Sequence, residues 1–592
     1  MQRLLTLSAV RPWRPKQGTG TFVMAMIILV LGFYLIYPIV LLLTMSFNVA
    51  PNVFARPAQW GLRNWTNAWA HPRLFAALGN SFMIWGLVVG ISFPIAILIA
   101  WVLGRTRVPF RNSLEFMFWA AYMFPSLSST IGWMMMFSPN GGFANSLLET
   151  LPFVEKGPFN IFSVPGIVWA KIMSDGLALK VMLLTPAFRN MDRTLEEAAR
   201  VSGCSDLKTM WRITIPMMIS PIVLALCLQL VKVFQGFETE QLLGARWGFY
   251  VYSTLIYRFI SGTALPDYGS AMVLASITFL IIAFIIPFQR WVVQRRQYVT
   301  VSSSFKPGVV ELGRWRWPVF CGIVLILLLL TAVPLVVLVM GSFMTRSGFF
   351  NTTPLWTLSH WQLVLGDPDF LRALRTTFIL ATSTALLSPI LFSFLAYILV
   401  RTRWRGRTLL DSIIWSSAAI PGILSGLGLL LLFLDTPGLR WLYGTIWALI
   451  LVVVISGKTT GTSMLKGVFV QLGKDLEEAG RVSGAGWLRT YVHIVIPTLL
   501  PTMVLIGVLN FVGAAGQTAN IVLLASKETR TLSLLALELA SPEVAKMEAA
   551  GIVSIIIMAM TLGIALVGRY IARRFSLEQV THSAFMRQTL TE

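Results

Sequence analysis

Twelve long apolar runs restrict this chain to folds that lie in a membrane. The hydrocarbon core of a bilayer is roughly 30 Å thick and needs about 20 apolar residues of helix, and backbone polar groups in lipid must pair within that helix. A mean hydropathy of +0.74 with 12% charged residues agrees with lipid as the solvent. The sequence therefore predicts an all-α polytopic membrane protein. The runs lie near residues 21–46, 77–103, 112–137, 164–187, 217–236, 268–288, 317–343, 374–400, 411–434, 442–464, 498–517 and 547–568.

The basic residues are distributed as in the cytoplasmic loops of membrane proteins. Lys and Arg number 47 against 25 Asp and Glu, which gives a formal net charge of +22. In a soluble protein this excess would suggest a nucleic-acid partner. Here the basic residues form short clusters between apolar runs, as in residues 105–111 and 401–407. We therefore expect contact with the lipid bilayer and no nucleic acid.

The N-terminal leader fixes the predicted orientation of the helices. It carries Arg3, Arg11, Arg14 and Lys16 and precedes an apolar run that is too long for a signal peptide and has no small-residue cleavage site at its end. The run therefore predicts an uncleaved first helix whose leader stays in the cytoplasm. Because twelve helices return the chain to the side where it began, both termini are predicted to be cytoplasmic.

Cysteine and histidine are too scattered to suggest a disulfide framework or a metal site. The three cysteines show no ligand spacing and the four histidines occur singly. The sequence also contains no convergent set of catalytic groups. We therefore predict no metal ligand and no catalytic residue.

The second half of the chain repeats the first half. Nine residues between Pro38 and Pro125 recur as identical residues 296 positions later, and beyond them the offset becomes 281. The missing 15 residues fall in the loop after the third run, which we expect to be extracytoplasmic and which is long at 138–163 and short at 435–441. The predicted organisation is a cytoplasmic leader at 1–20, a first six-helix repeat at 21–288, a basic cytoplasmic linker at 289–316, a second six-helix repeat at 317–568 and a cytoplasmic tail at 569–592.

Two repeats of six helices enter the membrane in the same sense and are related by an axis along its normal. Such an arrangement predicts a central pathway between the halves. A duplicated membrane anchor without a pathway is the alternative, but it leaves the polar loops and the charges inside the apolar runs unexplained.

The most similar stretch in the two halves is polar and follows the fourth run. Residues Leu195–Pro216, which we call the first elbow, match Leu476–Pro497, the second elbow, at 13 of 22 positions without a gap. Loops normally diverge faster than the elements they connect. The two elbows are therefore predicted to contact similar partners.

Each elbow has the residues of a helix, a sharp turn and a second helix. The LEEA start favours a short helix with carboxylates free for charge pairing, a glycine then permits a left-handed turn, and the final proline suits the first turn of the next helix. Small residues would allow a close fit into a groove of another protein. The candidate coupling residues are Glu196, Glu197, Ala198, Ala199, Gly203 and Pro216 in the first elbow, and Glu477, Glu478, Ala479, Gly484 and Pro497 in the second.

This spacing resembles the EAA loop of the permeases of binding-protein-dependent ABC importers, with Gly480 departing from the second alanine of the motif. The resemblance covers nearly the whole chain and implies the type I ABC importer permease fold in a bacterial inner membrane. It further implies two copies of a cytoplasmic ATPase subunit, which would bind the ATP and Mg, and a periplasmic or lipid-anchored solute-binding protein. The chain itself would bind no cofactor and act as no enzyme. The fused form looks most like ferric-iron permeases, with thiamine, polyamine and phosphonate systems among its relatives.

Ionisable residues inside apolar runs are costly and are candidates for a translocation pathway. Lys171 and Asp175 lie one turn apart and can neutralise each other, and these two join Lys180, Lys232 and Gln235 in the candidate set. In the second half none of the equivalent residues is charged. One interpretation is a pathway with a cationic bias, suited to an anion or an anion-bound metal. The other is a set of paired or snorkelling side chains that tolerate lipid.

Two other classes of protein stay open at this point. A secondary transporter would need a coupling-ion site and no shared docking motif, and a polytopic membrane enzyme would need catalytic groups. The transported substrate is not specified by the residues of this chain.

Overall fold

A computed structural model describes residues 19–51, 53–54, 57–190, 198–199, 201–261, 266–295, 311–402, 406–417, 420–473 and 475–589. These residues are almost entirely helical, and extended pairing among them is limited to isolated bridges. The leader up to residue 18 and the centre of the linker, 296–310, lie outside the described residues. The predicted all-α class is confirmed.

Among the described residues of the first half, fourteen α-helices can be given bounds, and they differ widely in length. They are α1 (Thr19–Met45), α2 (Arg63–Ala70), α3 (Leu74–Arg105), α4 (Arg111–Tyr122), α5 (Ser126–Phe137), α6 (Phe143–Leu148), α7 (Val164–Lys171), α8 (Ala178–Arg189), α9 (Asp206–Thr209), α10 (Ile215–Met217), α11 (Ile219–Val231), α12 (Glu238–Gly244), α13 (Tyr252–Ser261) and α14 (Tyr268–Arg295).

The second half follows the same order. Its helices are α15 (Arg316–Leu330), α16 (Ala332–Phe343), α17 (Ser359–Gly366), α18 (Pro368–Arg401), α19 (Arg407–Ser417), α20 (Gly422–Asp435), α21 (Ile446–Ser456), α22 (Lys458–Gln471), α23 (Asp475–Val482), α24 (Trp487–Thr490), α25 (Ile496–Ala515), α26 (Leu532–Ala540) and α27 (Met547–Thr589).

Over the residues that the structure describes, all twelve apolar runs are helical, but several are interrupted. Within the described residues, six helices are long and apolar enough to cross a membrane alone. The pair α21 and α22, bent by 46°, makes a seventh span if the two helices cross together. The third run breaks at Pro125 because proline disfavours helical geometry in the residue before it and lacks an N–H to donate. The fourth run passes through a π-helical turn at Ile172–Gly176. Interrupted helices are tolerated in a bilayer where protein buries the broken backbone.

The sequence repeat is reproduced in detailed contacts. Trp65 Nε1 donates to Ser46 Oγ at 3.2 Å, and Trp361 donates to Ser342 at the same distance. An isolated bridge joins Asn48 to Trp60, and another joins the residues 296 positions later, Met344 and Trp356. The structure thus confirms the offset predicted from sequence for the loop after the first helix.

Each half packs its first span against the third span of the other half. An added Cβ at Gly132 of α5 would lie 2.8 Å from Pro334 of α16, and at Gly428 of α20 it would lie 3.0 Å from Pro38 of α1. The two glycines are repeat equivalents, as are the two prolines. Close helix approach at small residues is a usual way to join membrane helices. This exchange of first spans joins the halves into one unit.

Two helices extend past the predicted domain limits. Helix α14 continues to Arg295, beyond the limit of 288 for the first repeat, and α27 continues to Thr589, through most of the segment predicted as a tail.

Candidate functional site

Both elbows turn on a glycine in the left-handed conformation. Gly203 and Gly484 have the same φ of +79°, a region that an L side chain rarely occupies. A Cβ on either glycine would meet nothing within 4 Å, so the turn is exposed and the requirement for glycine is one of backbone geometry. Glu196 and Glu197 of the first elbow lie outside the described residues.

The hydrogen bonds that close the two turns are equivalent. In the second elbow, Ser483 N donates to Ala479 O and Ala485 N donates to Gly480 O, both at 3.0 Å. The corresponding bonds of the first elbow, from Ser202 N to Ala198 O and from Cys204 N to Ala199 O, also measure 3.0 Å. The second bond of each pair spans five residues, as in a Schellman helix end.

After the turn, both elbows enter the next span in the same way. A π-helical turn covers Met210–Thr214 in the first elbow and Tyr491–Val495 in the second. Pro216 and Pro497 then occupy the first turn of the following helix, where a missing N–H costs little. The two elbows therefore share their exit as well as their turn.

Gly480 replaces the second alanine of the motif and allows a close contact inside the second elbow. An added Cβ there would lie 2.9 Å from Ile494 Cδ1 and 3.2 Å from Thr490 Oγ1. In the first elbow the equivalent Ala199 is buried. At Gly480 the two arms of the second elbow therefore approach each other closely.

The two glutamates of the second elbow have different surroundings. Glu477 is buried, pairs with Arg401 Nε at 2.9 Å and accepts a hydrogen bond from the Tyr397 hydroxyl at 3.3 Å. Arg401 also donates to Leu472 O at 2.8 Å. Glu478 is exposed. The inner glutamate therefore attaches the elbow to the end of α18, and the outer one is available to a partner.

An exposed valine precedes the turn in each elbow. Val201 is 90% exposed and its repeat equivalent Val482 is 78% exposed. The same apolar residue is therefore nearly fully exposed at the same place in both halves. Sequence reasoning missed these residues, although their identity at an offset of 281 was visible.

Inside the membrane region, Lys171 pairs with a residue that the sequence analysis did not consider. Its ammonium lies 2.7 Å from Oε1 of Glu240, whose side chain is only 3% exposed. The sequence had suggested Asp175 as a partner, and the side chain of Asp175 lies outside the described residues. Glu240 belongs to α12, which follows the fifth span, so no helical spacing links it to Lys171.

Lys180 lies deep within the first half. It is fully buried, donates to Ser92 Oγ at 2.7 Å and to Gly176 O, and lies 5.4 Å from the ring centroid of Phe93. These contacts fix it between α8 and α3. Lys232 and Gln235 are half-buried at the end of α11 and just beyond it.

The segments that follow the fifth spans meet across the boundary between the halves. Thr518 of the second half donates a hydrogen bond to the carboxylate of Glu238 of the first half. Close by in sequence, Thr239 lies 3.0 Å from Thr130, a contact within the first half. An added Cβ at Gly516 would lie 3.2 Å from Pro125 of the opposite half. The hydrogen bond from Thr518 to Glu238 and the approach of Gly516 to Pro125 thus join the halves beyond the ends of α11 and α25, the ends away from the elbows.

Comparison with known proteins points to one family. A family profile described as "Binding-protein-dependent transport system inner membrane component" matches residues 92–298 and 389–577. The ferric transport system permease protein FbpB of Actinobacillus pleuropneumoniae is 25% identical over 528 residues, which are 85% of this chain and 71% of that protein. The putative ferric transport system permease protein FbpB 1 of Haemophilus influenzae is 26% identical, over 62% of this chain and 58% of its own length.

Among solved structures, this chain matches the crystal structure of a bacterial ABC transporter involved in the import of the acidic polysaccharide alginate. It is 19% identical, gives a TM-score of 0.41 and covers 48% of this chain and 98% of its own.

Proposed function

The chain belongs to the family of binding-protein-dependent transport system inner membrane components, the permeases of ABC importers, and on that premise we propose that two ATPase subunits drive it through its elbows. Each elbow would seat in one subunit, and closure of the two subunits on ATP would bring the elbows together. The halves would then rock between inward-open and outward-open states. ATP hydrolysis would take place in the partner subunits.

The equivalence of the two elbows is the observation that carries this proposal. Gly203 and Gly484 share their φ, both turns are closed by the same pair of hydrogen bonds, and both exits have a π-helical turn followed by proline. Geometry kept in both halves is what two copies of one partner would require. The exposed Val201 and Val482 give each seat an apolar contact, and Glu478 adds a carboxylate for a basic residue of the partner.

A solute-binding protein would deliver the substrate on the opposite face, and we propose ferric iron as that substrate. Support comes from the two relatives whose names state ferric transport, of which one aligns over 85% of this chain. Phosphonate, thiamine or a polyamine would be the substrate if iron fails the uptake test below.

Reconstituted transport tests the proposal. Proteoliposomes with the permease and its ATPase subunit should take up radiolabelled ferric iron, delivered by the solute-binding protein, only when ATP is enclosed with the ATPase. A secondary transporter would instead run on an ion gradient without ATP, and an enzyme would turn over its substrate with neither partner. Either result would contradict the proposal.

A test of the role of the elbows in coupling requires variants that leave the chain folded. Gly203→Ala combined with Gly484→Ala places a Cβ at φ +79° in an open space, so the turn is strained by roughly 1–2 kcal/mol at each site with no new clash. ATPase activity should then lose its dependence on the solute-binding protein. Gly486→Ala is the matched control, since Gly486 is also exposed and unobstructed but has a φ of −67°. Equal coupling in the double variant and in the control would refute the role of the elbows.

A further inference from the structure

Helices α3 and α18 each reach from the elbow side of the molecule to its opposite face. Arg401, at the end of α18, contacts Leu472 and Glu477 beside the second elbow. The 34 residues of α18 extend about 50 Å, so its first turn lies at the far face. The equivalent α3 approaches α8, which leads to the first elbow, through Gly104. The first turns of both helices are thus on the face where substrate would arrive.

A basic pocket is found on this face of the first half. Its cavity of about 320 Å³ is lined by His71, Pro72, Arg73, Leu255, Arg258 and Phe259, and we call these residues the basic pocket. The guanidinium groups of Arg73 and Arg258 lie 5.4 Å and 4.7 Å from the ring centroid of Tyr250. Arg258 also donates to the Tyr250 hydroxyl. Contacts with an aromatic ring hold both cations in place without neutralising them.

The charge of the basic pocket is largely uncompensated. Among the residues that the structure describes, no carboxylate lies within ion-pair distance of Arg73 or Arg258. Burial, followed by the positive charges of Arg73 and Arg258, lowers the pKa of His71, and Asp267 opposes that shift. Arg63 adds another exposed cation at the start of α2.

The second half has none of these features at the equivalent positions. The residues that match His71 and Arg73 are Asp367 and Asp369, 296 positions later, and those that match Tyr250 and Arg258 are Thr531 and Leu539, 281 positions later. In place of the pocket there is a neutralised network, in which Arg372 pairs with Asp369 and, at 3.2 Å, with Glu528. The two halves therefore have the same backbone geometry at the elbows and different charged side chains on the opposite face.

We propose that the basic pocket receives acidic side chains from one lobe of the solute-binding protein and thereby fixes the orientation in which that protein docks. This rests on the proposed function, which requires such a partner on this face. Without such a difference, a solute-binding protein with two similar lobes could dock on the two similar halves in either of two orientations. One uncompensated cationic pocket makes the two directions unequal, because a carboxylate inserted into the second half would meet Asp367 and Asp369.

The test uses the permease with its ATPase subunits in nanodiscs of phosphatidylcholine. It measures how tightly this complex binds the purified solute-binding protein that is encoded beside the permease gene. Arg73→Gln combined with Arg258→Gln should weaken binding by at least about tenfold and flatten its dependence on salt. Arg258→Lys should keep most of the affinity because it keeps the charge. Arg63→Gln, an exposed arginine of the same face outside the pocket, is the matched control and should change affinity less than about twofold.

Three results would overturn the inference. The first is wild-type affinity in the double variant, and the second is an equal loss in the Arg63 control. The third is a loss that appears only in nanodiscs with anionic phosphatidylglycerol, which would assign the pocket to a lipid headgroup. Failure of the wild-type permease to bind the solute-binding protein at all would instead count against the proposed function.

Discussion

The two halves of this chain are alike at the elbows and different in the membrane interior. The elbows match in turn, hydrogen bonds and exit, down to the shared φ of +79° at Gly203 and Gly484. In the interior, the first half has the Lys171–Glu240 ion pair, of which the Glu240 side chain is buried, whereas the second half has Val452 and Ile521 at the same positions. On the proposed function, the elbows would keep their symmetry because both contact copies of one partner, and the interior would be free to lose it because a single solute passes there.

The ion pair between α4 and α8 and its counterpart between α19 and α22, which join the third run to the fourth in each half, show an intermediate case. In the first half Glu115 pairs with Arg189 at 2.5 Å, and in the second half the equivalent Asp411 pairs with Lys466 at 2.8 Å. The acid is retained at an offset of 296, but the cation has moved by one helical turn, since Lys466 matches Thr185 rather than Arg189. One turn of helix brings a side chain back to the same face. The contact is therefore preserved although the residue position is not.

The largest effect is expected from removing the buried anchor of the second elbow. Arg401→Met leaves Glu477 as a buried charge without its partner, which should cost roughly 3–5 kcal/mol because both side chains are at most 10% exposed. Thermal unfolding in detergent would measure the loss. Arg489→Met, an exposed arginine of the same elbow, should leave the midpoint nearly unchanged. Equal midpoints for the two variants would show that the anchor does not hold the elbow.

The next largest effect should come from the ion pair that is present in the interior of the first half and has no equivalent in the second half. Lys171→Met leaves the carboxylate of Glu240 charged and buried, and we expect a loss of roughly 2–4 kcal/mol with a matching fall in uptake. Adding Glu240→Gln should restore much of the stability, because the uncompensated charge is then gone. Val452→Met, at the equivalent position of the second half, is the control and should cost far less. A double variant no more stable than Lys171→Met alone would contradict the pairing.

A smaller effect is expected at the contact that joins the halves. Thr518→Val removes the hydroxyl that donates to Glu238 across the boundary, so the boundary should open more readily. ATP hydrolysis without the solute-binding protein should rise about tenfold, since a hydrogen bond to a charged group contributes roughly 1.5–3 kcal/mol. Thr239→Val makes the same substitution at a hydroxyl that bonds to Thr130 within one half, and it should leave this basal rate nearly unchanged. A basal rate that rises equally in both variants would argue against a special role of the boundary.

The smallest effect is expected at the second alanine of the EAA motif, which is Ala199 in the first elbow and Gly480 in the second. Gly480→Ala puts a Cβ 2.9 Å from the flexible end of Ile494 and should cost about 1 kcal/mol or less. Ala199→Gly should cost the first elbow a similar amount through helix propensity. Unfolding in detergent would measure both. A stabilised protein after either change would show that the elbows are not separately adapted.

The sequence predicted the features that depend on periodicity and repetition. Twelve helical runs, the parallel halves and the left-handed turn at Gly203 all follow from apolar run length, offset and glycine chemistry. The Lys171–Glu240 pair could not be found this way, because its members come from separate spans and only tertiary packing brings them together. The burial of Glu477 was hidden for the same reason, since a glutamate beside Glu478 gives no sign of which one faces Arg401.

The most direct test of the account asks what covers the two elbows. Cysteines introduced as Val201→Cys and Val482→Cys, in a chain whose native cysteines are replaced by serine, would be treated in the assembled complex with a short cross-linker. The reagent carries a maleimide at one end, for the introduced thiol, and an amine-reactive ester at the other, for lysines of the partner. The account predicts that each position cross-links to one ATPase subunit and that an impermeant thiol reagent outside intact cells labels neither. Labelling from outside, or elbows that stay uncross-linked in the working complex, would contradict it.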